Sequence, residues 1–199
     1  MRKLTPGGVS NQFVLLLLLA LTLFPFYMLA ISSLKFQDQF IHHFWVPVAP
    51  LHLENYVGAF AQTWPYIWNS VLITFGIILC VLINSTLAGY AFARFQFFGR
   101  GVLYSLIIML MMVPGFLLLI PQFMLFKSFG LLNTYWGQIF GPMAGASALA
   151  TMLMRTFFEG ISKSLIEAAE MEGAGDLRIF WQIVLPLSKP VVSTVAIIN

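Results

Sequence analysis

The sequence predicts an all-α protein: a polytopic transmembrane helical bundle with four complete spans, the start of a fifth, and a short helical loop between the fourth and the fifth. Three observations carry that prediction. Hydrophobic residues make up 60% of the 199, including 20 Phe and 5 Trp, while charged residues make up only 9%, against about 25% in a soluble domain. The apolar residues fall in long runs with no charge inside them. The charges gather between the runs, five of the seven acids in one segment. So few charges cannot cover a water-facing surface, which excludes most soluble classes, and the aromatic content is the opposite of a disordered chain. A formal net charge of +3 is too small to suggest nucleic acid. The single cysteine, Cys80, lies in an apolar run, so no disulfide framework exists.

A helix needs about 20 mostly apolar residues to cross roughly 30 Å of hydrocarbon. Residues 1–12, with Arg2 and Lys3, precede a first uncharged run at 13–31. The same flank fits a secretory signal peptide, whose apolar core is shorter, about 7 to 15 residues; the greater length and the runs that follow favour a retained span. Residues 32–66, with Trp45, Pro47, Pro50, Trp64 and Pro65, read as a loop with interfacial aromatics. The second run is 68–93, ended by Arg94. The third, 101–126, lies between Arg100 and Lys127 and contains Pro114 and Pro121, which kink or end helices. The fourth, 131–154, is closed by Arg155, and a fifth apolar stretch starts at Pro190 and runs to Asn199.

Lys and Arg in short flanks mark the inside of a membrane. With the N-terminus cytoplasmic, Arg2, Lys3, Arg94, Arg100, Arg155, Lys163, Arg178 and Lys189 are inside, and only Lys35 and Lys127 outside. The expected location is therefore a cytoplasmic (inner) membrane, multi-pass, with 32–66 external.

No Asp, Glu, Lys, Arg or His lies in the four complete runs. Ion-coupled carriers and proton relays keep such residues at a cost of several kcal/mol, so any transport would draw its energy from outside the spans. Asn84 (with Ser85 and Thr86), Gln122 and Gln138 either line a hydrophilic path for a neutral, hydroxyl-rich solute or bond across helices as packing contacts. Gly137, Gly141 and Gly145, four residues apart, read as a helix-packing stripe.

The loop 155–189 is different in character. Ser164 and Glu167 have capping-box spacing ahead of a helix over 165–172, which Gly173 can end in the left-handed conformation. Two turns are marginal alone in water, so a partner must hold them; Ala168 and Ala169 offer a low, flat surface for one. Asp176 can cap a second helix whose Ile179, Phe180, Ile183 and Val184 share an apolar face, Pro186 stops it, and Pro190 suits the first turn of the next span.

Glu167-Ala168-Ala169, Gly173 after three residues, and Ile183-Val184-Leu185-Pro186 after nine more reproduce EAA-x3-G-x9-I-x-L-P. On this signature the chain resembles ATP-binding-cassette importer permeases of type I. Leu53-Glu54-Asn55-Tyr56, the run from Ala88 to Phe95, Val113-Pro114, Ile120-Pro121 and Gly130 to Thr134 are similar to the smaller, maltose-permease-like subunit of the carbohydrate branch. The resemblance covers nearly the whole chain. It implies a permease transmembrane domain over 67–199, with a cytoplasmic coupling helix in which Glu167, Ala168, Ala169 and Gly173 contact the ATPase, Ser164 caps, and Ile183, Leu185 and Pro186 seat the second helix. Glu172 stands where that family more often has Asp. The family usually has six spans, so the resemblance implies a C-terminally incomplete sequence, a fragment or a truncated gene product.

The function so implied is the membrane-spanning subunit of an ATP-driven importer of a sugar or oligosaccharide. No cofactor or metal is expected. No G-x-x-x-x-G-K-[ST] loop occurs, so ATP hydrolysis would belong to a partner. The implied partners are a second permease subunit, two ATPase subunits, an extracytoplasmic solute-binding protein and membrane lipid. Rival readings are a permease for glycerol phosphate or a polyamine, and a non-transporting scaffold or remnant. Two adjacent histidines rarely point to one centre, so His42, His43 and His52 read as loop residues rather than a metal site.

Overall fold

A computed structural model describes residues 6–199, which form two compact units, one ending at Ile67 and one spanning Trp68–Asn199. Arg2 and Lys3 lie outside the described residues. The described residues are all-helical, without strands.

In the first unit, α1 (Pro6–Ser33) runs through Pro25 and leads by a tight turn to α2 (Gln37–His42). The expected loop 32–66 is more ordered than its prolines suggested. The backbone amide of Phe36 donates to Gln39 Oε1 at 3.2 Å, and Gln39 Nε2 donates to the Pro50 carbonyl at 3.1 Å. Lys35 is buried, its Nζ donating to the carbonyls of His43 (2.6 Å) and Phe44 (3.1 Å). From Glu54 the chain is helical again, as the start of α3 (Glu54–Arg94), which continues through Pro65. A proline inside a helix removes one amide donor without always breaking the rod, and Thr63 Oγ1 donates to the Ala59 carbonyl in the turn before it. His42 lies 3.2 Å from Asp38 and His52 2.7 Å from Glu54.

The second unit holds the rest of α3, then α4 (Arg100–Leu110), a 3-10 turn at Gly115–Leu118, α5 (Leu119–Ser128) and α6 (Tyr135–Glu159). There follow α7 (Lys163–Met171), α8 (Asp176–Ile179), a π turn at Phe180–Val184, α9 (Leu185–Leu187) and α10 (Lys189–Ile198).

Of the four complete spans expected, the first two are unbroken apolar helices and the third is a bent pair. Among the described residues two helices are long and apolar enough to cross a membrane, Asn11–Ser33 within α1 and Glu54–Arg94. The third run bends by 98° between α4 and the segment Gly115–Ser128, and Asp176–Leu187 meets Lys189–Ile198 at 71°; counting each bent pair as one span brings the total to at most four. Pro114 supplies the physical reason for the first bend, since it lacks the amide that would bond back into α4 and excludes its neighbour from helical geometry. The fourth run forms the 25-residue α6 but is not among the apolar spans found in the described residues, because its glycines, Gln138, Pro142 and Arg155 lower its hydropathy.

The second unit is held by one core. Val81 and Tyr90 of α3 meet Ala150, Met154 and Phe158 of α6, and onto these pack Ile166 and Ala169 of α7, Ile179, Phe180 and Val184 of the segment after it, and Val195 of α10. Gly89 permits the closest approach: a Cβ there would lie 2.6 Å from Met154 Cβ and 3.0 Å from the Arg155 amide nitrogen. The predicted glycine stripe of α6 is not one packing face. Gly141 meets Gln122 of α5, Gly137 meets the Leu131 carbonyl in the preceding turn, and Gly145 faces open space.

Candidate functional site

The segment from Ser162 to Ser188 departs from its sequence prediction in detail and keeps its logic. α7 starts at Lys163, so Ser162 rather than Ser164 stands at the N-cap, and no side chain caps the first turn. The expected capping box is absent because Ser164 is already inside the helix, and its hydroxyl pairs with that of Ser162 at 2.7 Å. At the other end Gly173 adopts φ +81°. Its amide donates to the Glu170 carbonyl at 2.9 Å, and the Ala174 amide reaches back to the Ala169 carbonyl at 3.0 Å. This pair of bonds is the Schellman closure, which a glycine at this position allows without steric cost.

Between its uncapped start and this closed end α7 has two distinct faces. Ile166 and Ala169 are buried against the core, while Glu167, Ala168, Glu170, Met171 and Gly173 are exposed. The two alanines therefore do not form one flat surface: Ala168 faces outward and Ala169 anchors the helix. Among the described residues, Glu167, Glu170, Glu172 and Asp176 make no ion pair with another side chain, which leaves an uncompensated acidic knob.

The following helical segment fixes this knob in place. Asp176 does not cap it by a side-chain bond; Gly175 is the N-cap. Ile179, Phe180 and Val184 are buried and Ile183 packs beside them, as the periodicity predicts, while Leu185 is half-buried and Pro186 exposed. Pro186 does not stop the helix, since it falls in the first positions of α9, where a missing amide costs nothing. The break comes at Ser188, which is fully buried and donates its hydroxyl to the Val184 carbonyl at 2.6 Å.

Two links join the knob to the long helices. Tyr90 of α3 packs on Phe180 at 4.9 Å and on Phe158 at 6.1 Å between ring centroids. Arg94, at the end of α3, donates from Nη2 to the Ile161 carbonyl at 3.3 Å, immediately before α7. Sequence reasoning did not single out Arg94 as a link, nor Met171 (89% exposed) and Leu177 (76% exposed) as surface residues. The signal was present, since neither Met171 nor Leu177 falls on the inward face of its helix.

The solute-path candidates are not brought together. Asn84 and Gln138 are exposed on α3 and α6, their side chains without a hydrogen-bond partner among the described residues, and Gln122 is half-buried against Gly141. Tyr135 instead donates to Asn69 Oδ1 at 2.8 Å, tying the start of α6 to α3.

The chain is similar to known transporter permeases. Over its whole length the chain is 32% identical to the probable ABC transporter permease protein YurM of Bacillus subtilis (strain 168), covering 66% of it. It is 40% identical over 121 residues, 61% of this chain and 41% of the relative, to the galactooligosaccharides transport system permease protein GanQ of the same organism. The chain thus spans about two thirds or less of the curated relatives it matches. The crystal structure of a bacterial ABC transporter involved in the import of the acidic polysaccharide alginate aligns with the whole chain and 72% of its own, with a TM-score of 0.73 at 25% identity. Residues 85–199, which include Tyr90, Arg94 and the knob, match the model of the binding-protein-dependent transport system inner membrane component, and the chain belongs to that family.

Proposed function

We propose that this chain is the membrane-spanning part of a permease subunit in an ATP-driven importer of a sugar or oligosaccharide. The observation that carries the reading is the construction of α7: a nine-residue helix, too short to stand alone in water, is anchored inward by Ile166 and Ala169 and presents Glu167, Ala168, Met171 and Gly173 outward. An exposed, rigidly backed acidic knob suits a socket on a cytoplasmic ATPase. Nucleotide-dependent movement of the socket would reach α3 through Phe180–Tyr90 and Ile161–Arg94, as a coupling free energy between ATP site and solute path.

The lysine and arginine pattern supports a cytoplasmic N-terminus and puts 155–189 on the same side. A second permease subunit, two ATPase subunits and an extracytoplasmic binding protein would complete the machine. The uncharged interior of the apolar runs and the galactooligosaccharide transport named for one relative support a neutral carbohydrate over glycerol phosphate or a polyamine.

The test is ATP turnover by the complete gene product, reconstituted with its ATPase and binding protein. Glu167→Lys is expected to abolish solute-stimulated turnover while the subunit still inserts in the membrane. Unchanged stimulation would contradict the proposal.

A further inference from the structure

At the start of α4 two arginines share one acid. Glu159 Oε1 accepts from Arg155 at 2.8 Å and lies 3.6 Å from Arg100 Nη2. Both arginine side chains are about four-fifths buried (22% and 19% exposed), and the Arg155 guanidinium lies over the Tyr104 ring at 3.8 Å from its centroid. Two guanidinium charges against one carboxylate leave one positive charge uncompensated in a partly desolvated place, where it attracts an anion far more strongly than in water. Arg100, Arg155 and Tyr104 line a cavity of about 630 Å³, together with Gln96 and Ser105. No side chain caps the first turn of α4 beside it, so amide donors there add to the positive potential.

A second cavity, of about 400 Å³, runs along the same helix and is apolar, lined by Phe92, Leu103, Leu106, Ile107, Leu110 and Val113. The two adjoin: Tyr104 lines the polar cavity, and its ring packs on Phe92 of the apolar one, 5.6 Å between centroids. Exposed Phe95, Phe97 and Phe98 precede the cavity, an aromatic cluster of the kind found at headgroup level. From Arg100 to Leu110 the helix rises about 15 Å, roughly the depth of one leaflet's hydrocarbon.

We propose that α4 carries a binding site for an anionic phospholipid, its phosphodiester between Arg100 and Arg155 and an acyl chain in the groove below. A phosphodiester carries one negative charge, matching the uncompensated one, and offers oxygens for the forked donors of two arginines. Free phosphate would use the upper cavity alone and leave the apolar groove without a role. Basic pockets between helices at the cytoplasmic face recognise headgroups by this chemistry. The site needs the chain to be in a membrane but is independent of what it transports.

The test is native mass spectrometry of the complete gene product, purified in mild detergent and offered equal amounts of phosphatidylglycerol and phosphatidylcholine with identical chains. The expected result is at least tenfold enrichment of one bound phosphatidylglycerol. Arg100→Gln with Arg155→Gln should abolish the enrichment, and Arg100→Lys with Arg155→Lys, which keeps the charge but loses the fork, should retain only part of it. Equal retention of both lipids by the unaltered protein, or enrichment that survives the glutamine pair, would overturn the proposal. So would displacement by millimolar inorganic phosphate, which would assign the site to the free anion. If the glutamine pair fails to fold, the lipid competition and the phosphate displacement on the unaltered protein still decide.

Discussion

Tyr90 and Phe180 pack with their ring centroids 4.9 Å apart and their planes tilted by 49°, joining the end of α3 to the π turn that follows α8. Both rings are nearly buried, 7% and 3% exposed, and the hydroxyl of Tyr90 has no hydrogen-bond partner among the described residues, so the contact is one of packing. Phe180→Ala should therefore cost about 3–5 kcal/mol through the cavity it leaves, whereas Tyr90→Phe should leave stability nearly unchanged. Thermal unfolding in detergent distinguishes the two.

The opposite orientation of the two adjacent alanines gives a second test. Ala169 is buried, so Ala169→Leu overpacks the core and should destabilise by about 1–3 kcal/mol. Ala168→Leu adds its bulk to an exposed face and should change stability by no more than about 0.5 kcal/mol. Its effect should appear instead as weaker retention of the ATPase on affinity purification.

Gly173 and Gly175 make a matched pair. Gly173 holds φ +81°, where an L side chain costs roughly 1–2 kcal/mol, while Gly175 sits at φ −76° and a Cβ there meets nothing within 4 Å. Gly173→Ala is expected to lower the unfolding temperature and reduce solute-stimulated ATP turnover, and Gly175→Ala to do neither. Equal effects would mean that the left-handed closure of α7 is unimportant.

Gly89 tests the helix contact behind the knob. With Met154 Cβ only 2.6 Å from where its own Cβ would lie, Gly89→Val must force α3 from α6 and should cost at least about 1–3 kcal/mol. Gly145→Val, in open space, should be tolerated in the same melting experiment.

Much of this site is legible in the sequence, for reasons that differ residue by residue. Gly173 was expected to close α7 because a short helix followed by glycine has few other ways to satisfy its last carbonyls. Ile179, Phe180, Ile183 and Val184 were expected to face inward because their spacing matches the helical period, and they do. Ser164 misled because capping depends on where the helix starts, and a shift of two residues turns a cap into a first-turn side chain. The inward turn of Ala169 was invisible for a related reason, since alanine suits either face. Pro114 marks a kink or a helix end in the sequence, and the chain bends there by 98°; the size of the bend is set by backbone sterics, which composition does not carry. Arg94 looked like a flank charge, because its bond to Ile161 joins residues 67 apart.

Site-directed cross-linking from α7 to the ATPase in the assembled transporter tests the central claim most directly. Cys80 is the chain's single cysteine and is replaced by serine in the background. Cysteine introduced at Ala168 or Met171 is expected to cross-link to the ATPase, with a yield that changes between the nucleotide-free and ATP-bound states. Cysteine at Ala169 should not react. No cross-link from either exposed position, or equal yields from Ala168 and Ala169, would contradict the account.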